Sequence, residues 1–110
     1  MHMFTGAKAV RSKAPPMEGY RYEWDEAKRA ANLRKHDVDF TAISRFDWQR
    51  AVVFRDDRLG YGENRFLAYA PIGGRLYALV FAERGPARRI ISFRKANRRE
   101  QARYAAERPR

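Results

Sequence analysis

Four short apolar runs joined by turn-rich links constrain this chain more than any other feature. Residues 51–55, 65–70, 75–82 and 88–93 each read as a strand, separated by DDRLGYGEN, by the turn PIGG at 71–74 and by ERGP at 83–86. Parallel neighbours need a crossover of about a dozen residues or more. Links this short therefore predict antiparallel hairpins, and the expected sheet is an antiparallel β-meander.

The flanking segments supply the helices. Tyr20, Tyr22 and Trp24 alternate, as on one face of a short strand. Asp25 follows as an N-cap, and residues 26–35 read as a helix ending near His36, with Ala27, Ala30 and Ala31 as a small-residue stripe that permits close approach to the sheet. Asp37 stands where a left-handed residue, usually Gly, is preferred. Asp39 caps a second, shorter helix running to about Arg45, in which Phe40, Ile43 and Phe46 recur at three-residue steps on a core face. Asn97 with Glu100 forms a capping-box pattern that opens a last helix to about Glu107. Its apolar stripe is only Ala102, Ala105 and Ala106, so it is expected to be weakly anchored. The fold class is α+β: a meander packed by two N-terminal helices and one C-terminal helix. Residues 1–19, with Gly6, Ser12, Pro15, Pro16 and Gly19 and no apolar period, read as a flexible extension before a single domain at 20–110.

Composition narrows the function classes. With 110 residues the chain holds one modest core, and without Cys neither a disulfide framework nor a thiolate metal site can support it. That suits a reducing cytoplasm. No apolar run approaches the roughly 20 residues that span a bilayer, and no membrane contact is expected. The net charge is +11 and is unevenly spread. Residues 23–83 balance, whereas residues 84–110 hold ten basic groups against Glu100 and Glu107. A field of that sign favours phosphate backbones or acidic proteins as partners.

Motifs remove further classes. The two His residues are 34 positions apart, and there is no HExxH, Walker A or GxGxxG pattern, so no metal site or nucleotide cofactor is expected. What remains is a set of arginines near one carboxylate. Glu63 and Arg65 alternate at a strand start, Arg84 ends the next strand, and Arg94 ends the last one two residues after Ser92. Such a set suits metal-free RNA cleavage, in which a base deprotonates the 2′-hydroxyl, guanidiniums stabilise the phosphorane, and a 2′,3′-cyclic phosphate results. It equally suits a surface ion pair. His36 is either an acid or base near neutrality or a protonated helix cap. Lys28 either contacts phosphate or simply faces solvent, and Tyr104 either stacks on a base, packs over the sheet edge or meets a protein partner.

Taken in order, these residues resemble the BrnT toxins. Trp24-Asp25-Glu26-Ala27-Lys28, Asn32, Lys35-His36 and Phe40 follow the family's WDxxKxxxNxxKHGxxF opening. Glu63-Asn64-Arg65 matches its ExR element, Glu83-Arg84 its strand-end ER, and Arg89-Ile90-Ile91-Ser92-Phe93-Arg94-Lys95-Ala96 its RIISARxA signature, followed by Arg99-Glu100 and Tyr104. The resemblance implies a RelE-like fold and an endoribonuclease that inhibits translation. It also implies neutralisation by a BrnA antitoxin, a ribbon-helix-helix protein that forms a heterotetramer with the toxin and contacts DNA. Glu63, Arg65, Arg84, Arg94 and His36 would be catalytic, and Lys28, Ser92, Lys95 and Tyr104 would bind RNA. Asp37 replaces the family's Gly, and Phe93 replaces a small Ala beside the presumed site. The same residues also permit a non-catalytic protein that only binds its antitoxin, or a small RNA-binding module.

Overall fold

The computed structural model of the protein describes residues 9–10, 21–56 and 63–108. Its elements are β1 (Ala9–Val10), β2 (Arg21–Glu23), α1 (Glu26–His36), two 3-10 helices (Phe40–Arg45 and Trp48–Arg50), β3 (Val52–Asp56), β4 (Arg65–Ile72), β5 (Arg75–Arg84), β6 (Ala87–Lys95) and α2 (Arg98–Glu107). The rest of the N-terminal extension, with Tyr20, lies outside the described residues.

The hairpins form as expected. β3, β4, β5 and β6 are antiparallel neighbours in a sheet that, among the described residues, has six strands in the order β1-β3-β4-β5-β6-β2. The tight β4–β5 and β5–β6 turns place Gly73 and Gly85 at φ of 60° and 58°, where a side chain would be strained. The sheet is nevertheless mixed and not a pure meander. β2 runs parallel to β6, with Tyr22 opposite Arg88. No hairpin ties β2 to its partner: it reaches β6 from the far end of the chain, so link length places no constraint on its direction.

The second, shorter helix forms where expected and is a 3-10 helix. Phe40 and Ile43 are buried within it and Phe46 caps it, and a strict three-residue spacing matches the 3.0-residue turn of a 3-10 helix. The three aromatic and aliphatic side chains join Val38, Trp48, Val53, Phe66, Leu79, Phe81 and Ile90 in the larger core, with Tyr22 and Trp24 against it. The smaller core on the opposite sheet face comprises Val52, Phe54, Leu67, Tyr69 and Ala78, flanked by Tyr104.

Neither long helix buries its alanine stripe, of which only Ala30 is half-covered. On α1, Ala27 and Ala31 are exposed, and the buried residue is Asn32. Its amide nitrogen donates to the Phe93 carbonyl at 2.7 Å and to the Val38 carbonyl at 2.9 Å, while its Oδ1 accepts from the Phe93 N–H at 3.1 Å. β2 covers only residues 87–89 of β6, so Asn32 stands in for a strand partner farther along that edge. Each such bond contributes about 1 kcal/mol, and leaving the buried Phe93 groups unpaired would cost more. Asp37 closes α1 at φ 60°, its N–H donating to the Leu33 carbonyl, so this departure from Gly keeps the left-handed cap.

On α2, Ala102, Ala105 and Ala106 face solvent, while Glu100, Arg103, Tyr104 and Glu107 turn inward. The spacing of that inward set is helical, but its members are polar or aromatic, so apolar periodicity misidentified the packed face. The helix is firmly anchored. Asn97 and Glu100 form the expected capping box, Arg103 lies over the Phe54 ring at 4.4 Å, and the Tyr104 hydroxyl donates to the Arg50 carbonyl at 2.8 Å. Among the described residues, no helix is long and apolar enough to cross a membrane.

Candidate RNA-binding site on the sheet face

One face of the sheet gathers most of the charged residues singled out in the sequence. Arg65 opposes Ala82, and Ala82 opposes Arg89, so both arginines project from the same face on either side of one alanine. Two strand spacings separate their backbones by about 10 Å. Arg84 lies two residues beyond Ala82 on that face. Glu63, just before β4, links them: its Oε2 accepts from Arg65 Nε at 3.3 Å and its Oε1 from Arg84 Nη2 at 3.2 Å. The Glu83 N–H donates to the Asn64 carbonyl at 3.1 Å, holding this segment against β5. Partial burial alone would raise the Glu63 pKa, but hydrogen bonds from Arg65 and Arg84 and their positive charges outweigh it. The net effect holds the carboxyl below its ordinary value, so at neutral pH Glu63 is an anion between two cations.

Arg89 escaped the sequence reading, and a β-bulge explains why. Val80 opposes Ser92, but the next residue, Phe81, opposes Ile90, which leaves Ile91 as the extra residue. The shift brings Arg89 onto the face of Ser92 and Arg94 and sends Arg88 to the other side. Simple alternation from Arg94 would have done the reverse. Arg88 is buried in the larger core, over the rings of Trp48 at 4.4 Å and Phe81 at 4.7 Å. Arg89 Nη1 donates to Glu23 Oε2 at 3.3 Å.

Arg94 shares the face but stands apart from the Glu63 cluster. It opposes Ala78, four residues along β5 from Ala82, a displacement of about 13 Å. Its Nη1 and Nη2 donate to the two carboxylate oxygens of Glu100 at 2.7 and 2.8 Å. The Glu100 side chain is only 1% exposed and also accepts from the Asn97 N–H at 2.9 Å and the Tyr69 hydroxyl at 3.4 Å. Burial pushes the Glu100 pKa up, yet the hydrogen bonds and charge of Arg94 and the capping bond bring it below the usual range. The Arg94 pKa is raised by its bond to Glu100.

The remaining candidates are dispersed. Half-buried His36 has its pKa lowered, first by burial and then by the charges of Lys35 and Arg94, so it is neutral at pH 7 and close enough to Arg94 to feel it. It is therefore not a protonated cap. Lys28 is exposed on α1, and Lys95 is exposed and alternates away from Arg94. Ser92 is half-buried on the arginine face opposite Val80. Tyr104 packs over the smaller core with its hydroxyl already engaged, which matches the sheet-edge alternative. Phe93 turns away from the arginine face into the larger core, packing on Phe46 at 5.7 Å and Tyr77 at 5.8 Å. The large ring therefore does not crowd the arginines. Among the described residues, no group of three or more His, Asp or Glu is placed to hold a metal ion.

A family model described as ribonuclease toxin, BrnT, of type II toxin-antitoxin system matches residues 24–100. Comparison with curated proteins gave no match. The matched span runs from Trp24, just after β2, to Glu100 in α2, and includes Glu63, Arg65, Arg84 and Arg94.

Proposed function

The chain belongs to the BrnT family of ribonuclease toxins of type II toxin-antitoxin systems, and on that premise we propose that it is a metal-independent endoribonuclease whose scissile phosphate docks on Arg65 and Arg84. The observation that carries this reading is the Glu63 carboxylate held between those two guanidiniums on the sheet face. The guanidiniums supply the positive charge that a metal ion would otherwise bring to the phosphorane. Arg89 adds a third, across Ala82.

Glu63 is a weak base while both arginines bind it. When a phosphate draws the guanidiniums onto its own oxygens, the carboxylate loses the groups that depress its pKa and becomes the better proton acceptor. It then takes the proton of the 2′-hydroxyl, whose oxygen attacks the adjacent phosphorus and expels the 5′-oxygen of the next nucleotide, which takes a proton from water. The product ends are a 2′,3′-cyclic phosphate and a 5′-hydroxyl. Arg94, fixed by Glu100 about 13 Å away along the sheet, is assigned to a neighbouring phosphate. His36, Lys28, Ser92 and Lys95 contribute RNA contacts.

In the cytoplasm this activity would cut RNA needed for translation and would be held in check by a BrnA-type ribbon-helix-helix antitoxin in a heterotetramer. A second reading, binding without cleavage, is favoured by the engagement of both Glu63 and Arg94 in ion pairs. Expression distinguishes the two. Induction of the soluble protein should arrest growth and fragment cellular RNA. Normal growth with intact RNA at good soluble expression contradicts the ribonuclease reading.

A further inference from the structure

At the far end of β5 from Arg84, a cleft of about 630 Å³ opens between the β4–β5 turn, the 3-10 helix Trp48–Arg50 and α2. Among the described residues lining it are Arg50, Arg75 and Arg108 together with Gln49, Gln101 and Tyr104, and no Asp or Glu. Its walls are set by backbone contacts. Arg75 Nη2 donates to the Ala96 carbonyl at 3.0 Å, Gln101 Nε2 to the same carbonyl at 3.2 Å, and the Tyr104 hydroxyl to the Arg50 carbonyl. Asp47 borders the cleft through an ion pair of 3.6 Å with Arg50, but both side chains are largely exposed and solvent screens the pair.

Three guanidiniums, two amides and an aromatic ring around a concavity fit a chain that carries phosphates and planar bases. An acidic polypeptide would match the charge alone. We propose that the cleft is a second, non-catalytic RNA subsite that holds single-stranded substrate several nucleotides from the phosphate being cut. The inference rests on the ribonuclease reading for its ligand. Arg75 and Arg84 stand at opposite ends of the ten-residue β5, on the order of 30 Å apart. A strand stacked at about 3.4 Å per nucleotide needs roughly nine nucleotides to reach from one to the other. Long RNA engages both places, and very short RNA cannot.

Gly74 offers a test that leaves the fold alone. It is exposed, its φ is not in the left-handed region, and an added Cβ meets nothing within 4 Å, so Gly74→Asp brings a carboxylate to the cleft without displacing a neighbour. The second variant is Arg75→Gln/Arg108→Gln. Fluorescence anisotropy on the full chain would compare oligouridylates of about 16 and about four nucleotides, 2′-O-methylated so that no 2′-oxygen can attack, across a salt series. The longer RNA should bind about tenfold more weakly to each variant, and the double variant should lose about 1.4 from the salt slope, for two contacts. Affinity for the short RNA should fall by less, because it can still occupy the Arg65–Arg84 cluster alone. Unchanged affinity for the longer RNA in both variants, or an equal loss for both lengths, overturns the subsite. So does weakened binding of polyglutamate with RNA binding intact, which assigns the cleft to a protein. Because binding is read without turnover, a protein that binds in this pattern yet never cleaves would refute the ribonuclease reading and leave the subsite standing.

Discussion

Glu100→Ala is expected to destabilise the protein by about 3 kcal/mol, lowering Tm on the order of 15 °C. The Glu100 side chain is 1% exposed and receives both ends of the Arg94 guanidinium, the Asn97 N–H and the Tyr69 hydroxyl. Removing it strands a partly buried cation, opens the capping box and releases the inward face of α2 from the sheet. Breaking a buried pair from one side typically costs about 3–5 kcal/mol, and the lower figure applies because the Arg94 side chain remains 28% exposed. The pH dependence has a definite sign. The folded pKa of Glu100 lies below its unfolded value, so its contribution is complete above the ordinary carboxylate range and is lost as pH falls through the lowered folded value. Replacing Arg94 and Glu100 together by apolar residues should restore part of the loss, since neither charge is then left alone. Thermal unfolding of the three variants decides this, and a change within about 0.5 kcal/mol for Glu100→Ala would show that the pair does not anchor α2.

Arg65→Ala and Arg84→Ala should each lower kcat for RNA cleavage by about 10²–10³ with little change in Tm. Each removes a guanidinium that meets charge on the phosphorane. Neither leaves a buried orphan, because the Arg84 side chain is half exposed and Glu63 keeps one partner in either variant. Arg94→Ala should behave differently, with lost activity accompanied by lost stability, because it vacates the Glu100 site. If Arg94→Ala alone abolishes cleavage without lowering Tm while Arg65→Ala and Arg84→Ala cut normally, the scissile phosphate belongs at Arg94 and not at Arg65 and Arg84.

The parts of this fold that were legible in the sequence are those governed by local chemistry. The hairpin links, the Asp25 and Asp39 caps, the left-handed Asp37 and the Asn97–Glu100 box all stand as local rules place them. The parts that were not legible depend on long-range pairing or on polar burial. β2 takes a parallel seat that no turn dictates. Asn32 and Glu100 dock their helices through adjacent β6 residues, Phe93 and Arg94, where alanine stripes were expected to do so. One bulged residue exchanges Arg88 for Arg89 on the charged face. Of the proposed site, Glu63, Arg65 and Arg84 are brought together as their spacing suggested, whereas Arg94 is held on its own carboxylate. The apolar and turn signals are periodic in sequence; a polar anchor on a strand backbone has no such period.

In the proposed mechanism, guanidiniums and the Glu63 carboxylate cut RNA without a metal ion. End-group analysis of RNA incubated with the purified full chain in excess EDTA tests it most directly. The expected fragments end in 2′,3′-cyclic phosphate and begin with 5′-hydroxyl. RNA left intact in EDTA but cut when magnesium is restored, or fragments bearing 3′-hydroxyl and 5′-phosphate ends, would contradict it.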